Sequence, residues 1–97
     1  MPVTLADVRS KRDEIIRLAQ QYRVRNLRVF GSVVRHDLEP WSAVDFIVDP
    51  LPDHSLFDRA GLVIALSELL QTKVDVVTEK ELRDYVRARA RSEAIPL

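Results

Sequence analysis

A chain of 97 residues has room for one domain with one modest core, so residues 1–97 are expected to form a single unit with any active site built inside it. Its 15 basic residues are matched by 15 acidic ones, which removes the excess positive charge that strong nucleic-acid binding requires. The absence of cysteine excludes disulfides, thiolate metal sites and a cysteine nucleophile.

Thr4 and Asp7 have the spacing of a helix-opening capping pair, and Leu5, Val8, Ile15, Ala19 and Tyr22 recur near helical spacing, which predicts one helix from Leu5 to Tyr22. In VRNLRVF, Val24, Asn26, Arg28 and Phe30 alternate with Arg25, Leu27 and Val29, as in a strand that ends against Gly31. A short helical turn, SVVRHD, follows, and Pro40 breaks the pattern. AVDFIVD is a second strand, closed by Pro50 and Pro52. The stretch Leu56 to Leu70 is apolar almost all round, which predicts a helix buried against the sheet. KVDVV is a third strand with Val74 and Val76 on one face, and Thr78 with Glu81 forms a capping box expected to open a last helix through Ala90. The order predicts an α/β or α+β fold, a small mixed sheet flanked by helices. The start of the chain lacks a signal-like apolar core and no apolar run approaches about 18 residues, so the expectation is a cytoplasmic protein without a membrane span.

Chemistry is concentrated between Gly31 and Asp49. A glycine at a strand end permits a sharp turn and a close ligand, and Ser32 can cap the next helix and offer its hydroxyl, near free amides that favour a phosphate. A Gly-Ser turn alone occurs in most proteins. Asp45 and Asp75, however, each interrupt an apolar strand, where a charge is costly unless paired or bound to metal. On neighbouring strands both could face one way and hold a magnesium ion together with substrate phosphates. They could equally sit at strand ends and pair with arginines, and spacing leaves the two readings level.

The stretch FGSVVRHDLEPWSAVDFIVD, followed by KVDVVTEKEL, resembles the minimal nucleotidyltransferases of the DNA polymerase beta superfamily, in particular the MntA-type antitoxins, as do the chain length and the closing SEAIPL. The family motif is G-S-x-x-R-G, a short loop, S-D-x-D, and a further Asp on a later strand. The resemblance implies the nucleotidyltransferase fold, with Gly31, Ser32, Arg35 and Ser42 in nucleotide binding. Asp45 would be the second Asp of the metal pair, and Asp75 a third carboxylate that shares a metal and orients the attacking hydroxyl. It also implies magnesium, ATP as substrate, and transfer of AMP to a tyrosine of a HEPN-domain ribonuclease toxin, which the enzyme silences as an antitoxin. A small-molecule acceptor is the other substrate class, but such enzymes carry a second domain for which 97 residues leave no room.

Two positions depart from the motif. Ala43 stands where the family has its first metal-binding Asp, and a methyl group cannot coordinate a cation, so transfer is expected to fall by orders of magnitude. With Ser42, Asp45 and Asp75 all in place, loss of this single metal ligand points to a disabled form of an active enzyme, such as an alanine substitution produces. A naturally inactive relative that neutralises its toxin by complex formation is the second reading. His36 replaces a usual glycine and is read as a surface turn residue rather than a catalytic one. Arg83, Arg87 and Arg91, with Arg89 beside them, form a stripe read as a solvated helix face. Trp41 is read as a contact residue beside the site, Tyr22 and Tyr85 as core-edge residues, and His54 as a loop residue.

Overall fold

A computed structural model describes residues 3–37, 39 and 42–97 of the chain. Its elements run α1 (Leu5–Ser10), α2 (Arg12–Gln21), β1 (Val24–Phe30), α3 (Ser32–Arg35), β2 (Val44–Pro50), α4 (Leu56–Leu70), β3 (Val74–Val77), a 3-10 turn (Glu79–Glu81), α5 (Asp84–Glu93) and β4 (Ile95–Pro96). The sheet order is β3-β2-β1-β4, with β1 antiparallel to both β2 and β4, and β2 parallel to β3. This is the mixed α/β sheet that the order of elements predicts.

The expected first helix is two. Thr4 and Asp7 do form a reciprocal capping box, but the Ser10 hydroxyl donates to Asp7 O at 2.6 Å. That carbonyl is the one an unbroken helix would offer to the Lys11 amide, which instead bonds Val8 O at 3.1 Å. A local side-chain competitor thus ends α1.

Strand β1 does not alternate throughout. Between Arg25↔Asp49 and Arg28↔Ile47 it carries one extra residue, a β-bulge, with Asn26 at φ 53° and its amide bonded to Asp49 Oδ2 at 2.9 Å. The bulge shifts the phase, so Val24 joins Leu27 and Val29 on the core face instead of opposing them. That core is filled by Leu5 and Val8 of α1, Ile15 and Ala19 of α2, Phe46 and Val48 of β2, Val74 and Val76 of β3, and one side of α4. Burial of this continuous apolar face is what drives the layer together.

Helix α4 is not buried all round. Leu62, Leu66 and Leu70 face the core, whereas Leu56 and Phe57 are 83% and 90% exposed and Ile64 is 59% exposed. Uniform apolar composition carries no period from which a buried side can be read. The Thr78–Glu81 capping box opens the 3-10 turn rather than the last helix, which begins only at Asp84 and continues to Glu93. Strand β4 was not anticipated. Ile47 and Ala90 are buried apart from the main core, on the side of the sheet that carries α5. Among the described residues, no helix is long and apolar enough to cross a membrane.

Candidate active site

Strand β1 ends at Phe30, opposite Asp45 of β2, and the chain then turns at Gly31 with φ 83°. A side chain is excluded there twice: the backbone lies where L-residues are strained, and a Cβ would overlap the Asp45 carboxylate. The glycine therefore lets the start of α3 press against Asp45. On the other side of β2, Asp75 is the parallel-register partner of Asp45, so both carboxylates project from one face, away from the main core. Ala43 precedes β2 by one residue and Asp45 by two.

The two carboxylates differ in surroundings. Asp75 is exposed, whereas Asp45 is half-buried. Burial, followed by the neighbouring Asp75 carboxylate, pushes the Asp45 carboxyl up to about 6, with the Arg35 charge opposing the shift. Adjacent carboxylates with too little positive charge between them are a place where a cation is welcome.

Around them, Gly31 rather than Ser32 is the N-cap of α3. Ser32 is its first residue, and its hydroxyl has no hydrogen-bond partner among the described residues. Arg35 is exposed but tethered: its Nη1 donates to Glu93 Oε1 at 2.9 Å and its Nε to Asp37 Oδ2 at 3.3 Å. Glu93 Oε1 also accepts the Gly31 amide at 3.2 Å. Ser42 closes its own loop, accepting the Glu39 amide on Oγ at 3.0 Å and donating its amide to Glu39 O at 2.9 Å. His36 is exposed at the end of α3 with φ 61°, the left-handed conformation that explains the family glycine.

Gly31, Asp45, Asp75 and Arg35 are thus brought together, and Glu93 is the neighbour that sequence reading missed. Its signal lay in the closing SEAIPL, whose pairing with the turn requires knowledge of β4. The arginine stripe divides: Arg87 bonds Glu79 O and Leu82 O at 2.9 Å each, and Arg91 bonds Glu79 Oε1 at 2.7 Å, so these two tie α5 to the 3-10 turn. Arg83 and Arg89 are exposed. Tyr22 lies at the core edge, but Tyr85, on the first turn of α5, is 71% exposed and no part of the core. His54 sits on the loop after β2, with Nδ1 2.9 Å from Tyr22 O. Pro40 and Trp41 lie outside the described residues.

Residues 10–97 match the family described as nucleotidyltransferase domain. The chain belongs to that family. Over 71 residues this nucleotidyltransferase-domain chain is 32% identical to a Methanocaldococcus jannaschii protein provisionally named a protein adenylyltransferase, with 72% of each chain covered. Its structure resembles that of a protein provisionally described as a minimal nucleotidyltransferase, at TM-score 0.83 and 35% identity over 97% of this chain and 96% of the other. The fold also recurs in the complex of a tri-AMPylated Shewanella oneidensis HEPN toxin with its MNT antitoxin, at TM-score 0.66 and 17% identity over 91% of this chain and 69% of that one.

For a nucleotidyltransferase-domain chain the donor set is short. Among the described residues no three His, Cys, Asp or Glu side chains converge in a way that could hold a metal. As register partners, Asp45 and Asp75 could offer two carboxylates to one magnesium ion, whose remaining ligands would come from water and substrate phosphates. A second cation needs a further carboxylate, and Ala43 has none to give.

Proposed function

We propose that this chain is a cytoplasmic antitoxin built on a protein adenylyltransferase, whose reaction moves AMP from ATP to a tyrosine hydroxyl of a HEPN-domain ribonuclease toxin. Ala43 disables the transfer step. The observation that carries the reading is the register pairing of Asp45 with Asp75 beside the Gly31 turn, within a chain of the nucleotidyltransferase domain family. The names of its relatives, a protein adenylyltransferase and an antitoxin bound to an AMPylated HEPN toxin, support the acceptor class.

In the transfer, the acceptor oxygen forms a bond to the α-phosphorus while the bond from that phosphorus to the bridging oxygen breaks. Pyrophosphate leaves with the electron pair, and the hydroxyl proton passes to the solvent-facing carboxylate edge. Asp75, exposed beside Asp45, orients the attacking hydroxyl, and Asp45 with Asp75 would hold the cation that meets the reacting phosphate. Ser32 offers its free hydroxyl to the phosphates. Magnesium, when bound by Asp45 and Asp75, neutralises charge on the phosphoryl and leaving groups.

Ala43 itself favours a second reading, in which the chain neutralises the toxin by binding alone. Mass spectrometry of the toxin after incubation with ATP and magnesium separates the two. The expected result is stepwise gain of AMP with the Ala43→Asp protein and none with the parent. A stable complex with no mass gain from either protein leaves the binding reading in its place.

A further inference from the structure

The Gly-Ser turn is held from the far end of the chain. Strand β4 pairs with β1 as Arg28↔Pro96 and Val29↔Ile95, and Leu97 donates its amide to Leu27 O at 3.1 Å. Glu93, the last residue of α5 and two positions before β4, comes to lie against Gly31. There, the Glu93 carboxylate accepts both the Gly31 amide at 3.2 Å and Arg35 Nη1 at 2.9 Å on a single oxygen. Its side chain is only 17% exposed. The β4 pairing begins two residues later, at Ile95, and ties the end of α5 to β1.

Three consequences converge on the turn. Gly31 has a backbone conformation, φ 83°, open to glycine among several others, and Glu93 restrains it from the amide side. Arg35 lies between the carboxylates of Glu93 and Asp37, so two of its three guanidinium nitrogens are engaged in ordering α3. With the Gly31 amide held, the start of α3 next to it carries the Ser32 hydroxyl and the amides of its first turn. Charge-assisted hydrogen bonds of this kind are stronger than neutral ones and geometrically demanding.

We infer that Glu93 is a positioning residue for nucleotide binding: by clasping the Gly31 amide and Arg35 together it sets the turn that presents Ser32 to the triphosphate. This rests on the adenylyltransferase reading above. The opposite role, a carboxylate that occupies phosphate-binding donors and must be displaced, makes a prediction of the opposite sign.

The test is calorimetric binding of a non-hydrolysable ATP analogue with magnesium to the Ala43→Asp protein, and to the same protein carrying Glu93→Gln or Glu93→Ala. Each is measured well below its Tm, with the folded fraction checked by circular dichroism. Glu93→Ala is expected to weaken binding about tenfold, the size of one lost charged hydrogen bond. Glu93→Gln, which keeps an oxygen acceptor, should weaken it less. A lowered Tm with unchanged Kd would reduce Glu93 to a structural residue, and tighter binding by Glu93→Ala would make it a competing anion. Either result overturns the inference. Failure of the Ala43→Asp protein itself to bind the analogue would sink the adenylyltransferase reading, and the clasp with it, before any change at Glu93.

Discussion

The α-carbon of Gly31 abuts the Asp45 carboxylate so closely that any Cβ at position 31 would overlap Asp45 Oδ2. The overlap and the positive φ act together, so Gly31→Ala is expected to lower stability by about 2–3 kcal/mol. Urea denaturation measures this. A loss within about 0.5 kcal/mol would mean that the turn relaxes freely and that the close approach is not imposed by the fold.

The raised Asp45 carboxyl has a defined signature in pH. Its folded value of about 6 lies above the ordinary 3.8, so the folded state holds the proton more tightly than the unfolded state. Stability should therefore fall as pH rises from about 4 to 6, and the cost should be fully present above that window. Asp45→Asn removes it: the variant is expected to be more stable than the parent by about 1 kcal/mol near pH 8, once solvent screening is allowed for, and level with it near pH 4. Equal differences at the two pH values would show that ionisation of Asp45 is not the cause.

Metal response separates the parent from its revertant. With two carboxylates the parent should gain little Tm from millimolar magnesium, whereas Ala43→Asp adds a third negative ligand. It should start lower in Tm without metal and rise further with it, because a ligand that binds only the folded state stabilises it by mass action. Identical magnesium shifts in differential scanning fluorimetry would mean that position 43 does not reach the Asp45–Asp75 site.

Gly61 lies in the middle of α4, where alanine ordinarily stabilises a helix by about 1 kcal/mol. Here a Cβ would run into the Tyr22 ring, with Cδ1 at 3.0 Å. Gly61→Ala is expected to destabilise by about 1–3 kcal/mol. The loss should largely vanish when Tyr22→Ala is present as well, and additive losses in that double-mutant cycle would assign the cost to something other than the ring.

His36 holds φ 61° without the freedom of glycine. Left-handed backbone costs a non-glycine residue roughly 1–2 kcal/mol, while glycine loses about 0.5–1 kcal/mol more in unfolded-chain entropy. His36→Gly should therefore stabilise the protein by about 0.5–1 kcal/mol. A decrease in Tm would indicate that the imidazole has a role in the folded protein.

Much of the site was legible before folding. Asp45 and Asp75 stand out because each charge interrupts an apolar strand, and Gly31 because a strand must turn there. The Thr4–Asp7 cap was read correctly because it depends on residues three apart. The end of α1 was misread because the Ser10 hydroxyl diverts one carbonyl, a detail that apolar periodicity does not encode.

Sequence by itself determined which residues had chemistry to offer and which segments would form β1, β2 and β3, though not the two-residue β4, since alternation and capping act within a few positions. Tertiary structure alone decided that Asp45 and Asp75 are register partners, that the bulge at Asn26 turns Val24 inward, that one side of α4 stays open, and that Glu93 clasps the Gly31 turn. The physical reason is range. Asp45 meets Asp75, and Gly31 meets Glu93, only after the sheet has chosen its strand order and register, and that choice is made by burial of the whole apolar face rather than by any local preference.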